Sequence, residues 1–122
     1  MEDEHDRLRE MISAVSFAIL NARNRAPRLD ALRLLRQRFA LHCRLEESIA
    51  QRAGEAWLDM LCDDHRDLLG MLDRCRPSLM DGDDALTRSL LEDFADALAH
   101  HDQAVDMPVF RLISGTQANS SL

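Results

Sequence analysis

The chain has 122 residues and contains no lysine and no tyrosine. All fifteen basic residues are arginine, and twenty-two acidic residues leave a formal charge of −7. No run of basic residues and no aromatic platform offers a nucleic-acid surface, and the acidic balance argues against one. No apolar run approaches the length of a membrane span. The start, MEDEHDRLRE, is too charged to be expected to act as a signal peptide. Only three cysteines occur, an odd number without CxxC spacing, so Cys43, Cys62 and Cys75 read as free thiols in a reducing cytosol. Valine, threonine and aromatic residues are scarce while Leu, Ala, Arg, Asp and Glu dominate, which disfavours strands and predicts an all-α domain with a single core.

What is present is helical periodicity. His5, Leu8, Ile12, Val15 and Ile19 recur at spacings of three and four, the apolar seam of a packed helix. That helix is expected from near Asp3 to about Arg23–Arg25. Pro27 marks entry to a second helix, because proline fits a first helical turn. The second seam is Leu32, Leu35, Phe39, His42, Glu46 and Ile49, with a stop near Ala53 and Gly54. Leu58, Leu61, His65, Leu68, Leu72 and Cys75 give a third. Pro77, Ser78 and Asp81-Gly82-Asp83-Asp84 predict the next break. A fourth helix, from about Asp84 to Leu112, has Leu90, Phe94, Ala97 and His101 as its expected seam. Four helices with short connections predict an up-down-up-down four-helix bundle over residues 1–113. Residues 114–122 form a polar, flexible tail in this reading.

Each helix carries one histidine on its seam: His5, His42, His65 and His101. His42 and Glu46, at i and i+4, share one helix face in seam positions where Leu or Ile is expected. One buried histidine is ordinarily a core residue with one hydrogen bond. Four imidazoles beside a carboxylate are destabilising unless they bind something, and a metal provides the compensation. His42 and His65 lie twelve and eleven residues from Gly54, so they stand at one level. His65 and His101 match less well, because the segment from Arg76 to Asp83 must climb along the bundle to bring them level. Asp106 is a further carboxylate, five residues after His101, and Pro108 favours the kink or wider turn that would swing it inward. Asp102 and His100 are one step off the expected seam; Asp102 reads as solvent-facing, and His100 as a surface residue or one behind the ligands rather than a ligand itself. Cys43 and Cys62 adjoin ligand positions but read as ordinary thiols. Neutral imidazoles with two carboxylates suit iron, manganese or zinc, and two bridging-capable carboxylates on different helices favour two ions.

These motifs resemble the hemerythrin-like (HHE cation-binding) domain family, particularly its bacterial single-domain members. The family pattern is a lone His, then HxxxE, HxxxH and HxxxxD on successive helices. His5 resembles the first, His42-Cys-Arg-Leu-Glu46 the second, with Glu47 completing a double glutamate, and His101-Asp-Gln-Ala-Val-Asp106 the fourth. The third helix departs: Leu61-Cys-Asp-Asp-His65 retains only the second histidine of HxxxH, and Leu61 takes the place of the other ligand. The resemblance implies a centre of two non-heme iron ions. His5 and His42 would hold one iron, His65 and His101 the other, and Glu46 and Asp106 would bridge.

The implied function is O2 binding for sensing, storage or transport, by a cytoplasmic binding protein rather than an enzyme. O2 or another diatomic or peroxide ligand would be its partner, with neither nucleic acid nor membrane involved. The first alternative is a di-iron stress-response protein that reacts with peroxide or nitric oxide or donates iron. The second is a metal-free helical interaction module. Leu61 favours a more open, more reactive centre than a durable oxygen carrier would have.

Overall fold

A computed structural model describes residues 2–103, with side chains from residue 6 onward. Four helices follow one another: α1 (Glu2–Asn21), α2 (Arg25–Ala50), α3 (Glu55–Met80) and α4 (Asp84–His101). Each packs on its chain neighbour and α1 also packs on α4, which closes an antiparallel four-helix bundle. No strand occurs among the described residues, and none of their helices is long and apolar enough to cross a membrane.

From Leu8 onward the seams read from the sequence are the buried stripes of α1, α2 and α3, with Ile49 and Leu58 half-buried. Leu8, Ile12, Val15 and Ile19 face Leu32, Leu35 and Phe39, and these meet Leu68, Leu72 and Cys75 in one core. Each such apolar side chain contributes roughly 1.5–3 kcal/mol on burial. On α4 the register differs from the expected one. Thr87, Leu91, Phe94, Leu98 and His101 are buried, while Leu90 and Ala97 are only half-buried. The buried stripe is therefore rotated toward Leu91 and Leu98. Asp102, one turn beyond Leu98, falls on the same flank and is buried, contrary to the expectation that it faces water. His100 is exposed, as expected.

The turns set the levels of the histidines. Pro27 does lie in the first turn of α2. Arg28 closes this corner by donating from Nε to the Ala22 carbonyl at 2.7 Å and pairing with Asp84 at 2.7 Å. Between α2 and α3, a single 3-10 turn (Gln51–Ala53) leads to Gly54, whose φ of 107° is open to glycine.

The predicted break at Pro77 does not occur, and α3 continues through it to Met80. The proline ring faces solvent, where water can satisfy the carbonyl its missing N–H leaves free. Ser78 and Leu79 beyond it are buried and hold the last turn in place. The helix ends instead at Gly82 (φ 72°), where the Gly82 N–H donates to Leu79 O at 3.1 Å and the Asp83 N–H to Ser78 O at 2.9 Å. This is the paired-bond stop that a left-handed glycine permits. Asp83 then caps α4 by accepting from the Leu86 N–H at 3.1 Å. Below it, the buried Ser78 and Thr87 hydroxyls meet at 2.6 Å, so one donates to the other while the acceptor of that bond donates to its own near carbonyl, Cys75 O at 2.8 Å from Ser78 or Asp83 O at 2.9 Å from Thr87. With α3 running to Met80 and α4 starting at Asp84, His65 and His101 lie fifteen and seventeen residues from the turn. They come level without the climbing segment the sequence reading required.

Two glycines should respond oppositely to alanine. Gly82→Ala places a Cβ in the left-handed region and should cost about 1–2 kcal/mol. Gly70→Ala, inside α3 with open space around its Cα, should stabilise by roughly 0.5–1 kcal/mol. Chemical denaturation of both variants checks the pair of signs.

The core also predicts an alkaline limit. Burial, with Asp73 nearby, pushes the Cys75 thiol up from 9.0 to about 11. A raised thiol contributes stability that is fully present below the unfolded value and is lost as pH rises through the folded one. Unfolding free energy should therefore decline between about pH 9 and 11, and Cys75→Ala should reduce that decline without abolishing it, because Cys62 is raised over the same range.

Candidate metal centre

The site lies between α2, α3 and α4, above a floor made by Phe39. This ring is fully buried, packs edge-on against Phe94 at 5.3 Å and stacks on His42 at 6.4 Å. His65 meets it edge-on at 6.5 Å. The His42 and His65 imidazoles pack on this aromatic floor, and with His101 they are buried at 1–3% exposure.

Glu46 is the centre of the cluster. Its carboxylate is 1% exposed, with Oε1 2.9 Å from His42 Nε2 and 3.3 Å from His65 Nε2. The first contact follows from the i, i+4 geometry of α2; the second crosses to α3, which the common distance from Gly54 brings level. His65 and His101 approach with ring centroids 4.8 Å apart. Ligand atoms of Glu46, His65 and His101, all buried and on three different helices, lie within 4.8 Å of one another.

Two carboxylates outside this group hold the rings. Glu47 Oε2 lies 3.0 Å from His65 Nδ1, and Asp64 Oδ2 is in close contact with His101 Nδ1. A carboxylate accepting from Nδ1–H leaves Nε2 as the lone-pair nitrogen. For His65, that nitrogen is the one turned to Glu46. This is how metal-ligating imidazoles are commonly oriented, and it raises their basicity. Burial opposes a charge on His65, yet Glu46 and Glu47 outweigh it, so its proton is held above the ordinary histidine range. A donor set of buried imidazoles and one buried carboxylate, with outer carboxylates already in position, fits a transition metal or zinc.

The sequence reading placed His42, Glu46, His65 and His101 in this centre, and the structure brings these four together. His5 lies on α1, in its first turn, but its side chain is outside the described residues. Asp106 also lies outside them. The last described turn of α4 widens at Asp102 and Gln103 to a π-type turn, the kind of irregularity expected near Pro108. Asp102, assigned to solvent from the sequence, instead faces α1 and pairs with Arg9 at 3.5 Å. Sequence reasoning did not assign Glu47 and Asp64 their roles. They adjoin Glu46 and His65 in the chain, a quarter-turn off the seam toward the neighbouring helix, and that adjacency was the available signal. Leu61 is fully buried one turn before His65 and packs with Ala50, Ile49, Ala53 and Leu58 in a small cluster separate from the main core.

A four-helix bundle with a buried His/Glu cluster of this kind defines a metal-binding class of helical protein. The chain belongs to the hemerythrin HHE cation-binding domain family, whose model matches residues 1–113. No curated protein and no solved structure matches it significantly.

Removing an outer carboxylate should weaken the centre without removing a ligand. Glu47→Gln and Asp64→Asn should each lower metal affinity by about 10–100-fold. Competition with a chromophoric chelator would measure this; unchanged affinity in both would refute the orienting role.

Proposed function

We propose that this chain is a non-heme di-iron protein that binds O2 for sensing, storage or transport. The observation that carries the reading is the buried convergence of Glu46, His65 and His101, with His42 against the same carboxylate. Membership of a cation-binding family supports it. In this proposal His65 and His101 would hold one iron and His5 and His42 the other, with Glu46 and Asp106 as the carboxylate ligands. When bound, two ferrous ions supply the redox chemistry of reversible O2 binding. The protein's own residues do the rest. Glu47 and Asp64 fix the imidazoles, Phe39 and Phe94 exclude water beneath them, and the Glu46 carboxylate is kept from solvent. Free cysteines fit a reducing cytoplasm, here a bacterial one.

A second reading, a stress-response protein that reacts with peroxide or nitric oxide or donates iron, is favoured by Leu61. An apolar side chain in a ligand's place leaves one coordination position to solvent or a small molecule.

The test is anaerobic reconstitution with ferrous iron, followed by metal analysis and a visible spectrum on exposure to air. About two irons per chain and a new charge-transfer band are expected, and the band's lifetime separates reversible binding from reaction. One metal per chain would mean that Leu61 leaves half the centre empty. No iron and no band would overturn the proposal in favour of a metal-free interaction module.

Leu61→His addresses the vacancy. It should destabilise the metal-free protein by about 1–3 kcal/mol by burying a polar ring in an apolar cluster, and it should slow air oxidation of the iron-loaded protein. An unchanged oxidation rate would show that Leu61 is not the vacated position.

A further inference from the structure

The contacts of Glu47 extend beyond His65. Its other oxygen, Oε1, lies 3.1 Å from the Cys62 thiol. Cys62 and His65 are three residues apart on α3 and share a face, so the single Glu47 carboxylate, reaching over from α2, spans both. One oxygen accepts from the thiol, the other from the imidazole. We propose that Cys62 is a positioning residue for the metal centre: its S–H fixes the Glu47 carboxylate in the plane from which Oε2 holds His65 Nδ1–H, and so keeps Nε2 turned to Glu46.

The geometry explains why a fixing group is needed. The Glu47 side chain is 30% exposed, and a glutamate at a bundle surface has several open rotamers, most of them leading to water. A carboxylate that swings out leaves His65 without its orienting partner. Among the described residues, Asp64 shows no second donor of this kind, and its shorter side chain has fewer rotamers to lose. The two imidazoles are therefore held differently, His101 by a short direct contact and His65 by a three-membered relay.

An alternative use of Cys62, as a reactive or redox-sensing thiol, is disfavoured by the same environment. Burial first, and the Glu47 contact second, push the thiol up from 9.0 to about 11. The thiolate is the reactive form, and at neutral pH it is scarcer here than at an ordinary cysteine. A thiol held protonated is a poor nucleophile but a constant donor.

The test compares Cys62→Ala, which removes the donor, with Cys62→Ser, which replaces it by a hydroxyl. The first readout is the tautomer of His65 in the metal-free full chain, from long-range 1H–15N correlation spectra at a pH where the ring is neutral. Because Glu46 Oε1 also faces Nε2 at 3.3 Å, the neutral ring divides between two tautomers, and the Nδ1-protonated share is expected to be equal in wild type and Cys62→Ser and lower in Cys62→Ala. The second readout is the release rate of zinc to a chelator. It should rise roughly 10-fold in Cys62→Ala and return to within about 3-fold of wild type in Cys62→Ser.

A wild-type tautomer and release rate in Cys62→Ala would overturn the proposal. So would a serine variant that fails to rescue either readout while both variants lose equal thermal stability, since Cys62 would then act only by packing. The relay rests on the metal-centre reading for its purpose, but the tautomer readout needs no metal. Failure to bind iron therefore overturns the proposed function and leaves the relay separately judged.

Discussion

The structure depends on one carboxylate kept out of water. Glu46 occupies a seam position of α2 where a leucine would pack at no electrostatic cost, and it is 1% exposed between two imidazoles. A buried carboxylate is tolerated when its partners compensate for lost hydration, and removing a partner is costly. The polar side chains around it follow from that constraint. His42 lies beneath it on the same helix face. His65 reaches it from α3 at a level fixed by the short 3-10 turn and Gly54. His101 is brought alongside because α3 extends to Met80 before the chain reverses. Glu47 and Asp64 then hold the two rings from outside.

The rest of the bundle serves as scaffold and insulation. The main core, from Leu8 on α1 to Leu98 on α4, fills the part of the bundle toward the Pro27 and Gly82 turns and reaches Cys43 beside the cluster. The smaller cluster of Ala50 and Leu61 closes the other end near Gly54. Hydrophobic burial at both ends supplies the stability that a middle layer of histidines and acids does not. The arrangement trades stability for a binding site, which is the expected signature of function in a bundle core.

Much of this was legible in the sequence because helical periodicity is unambiguous when apolar residues recur over four or five turns. The seams of α1, α2 and α3 are such cases, and the buried positions of His42 and His65 followed from them. The failures have physical causes. Pro77 signals a break only when its helix has nothing beyond it to bury, and Ser78 and Leu79 are buried. On α4, neighbouring Leu and Ala positions support two registers about 50° apart on the helix. The choice of Leu90 and Ala97 over Leu91 and Leu98 also misassigned Asp102, which shares a flank with Leu98. Glu47 and Asp64 were out of reach because their roles depend on contacts between α2 and α3 and between α3 and α4. Periodicity along a single helix carries no such information.

The central claim is that the buried Glu46 cluster exists to bind metal rather than to stabilise the fold. Thermal unfolding of wild type and Glu46→Leu, each with and without bound ferrous iron under anaerobic conditions, tests it most directly. The account predicts that Glu46→Leu raises the midpoint of the metal-free protein and abolishes the further rise that iron gives wild type. A Glu46→Leu variant less stable than metal-free wild type, with no effect of iron on either, would show that the carboxylate is a structural element and contradict the account.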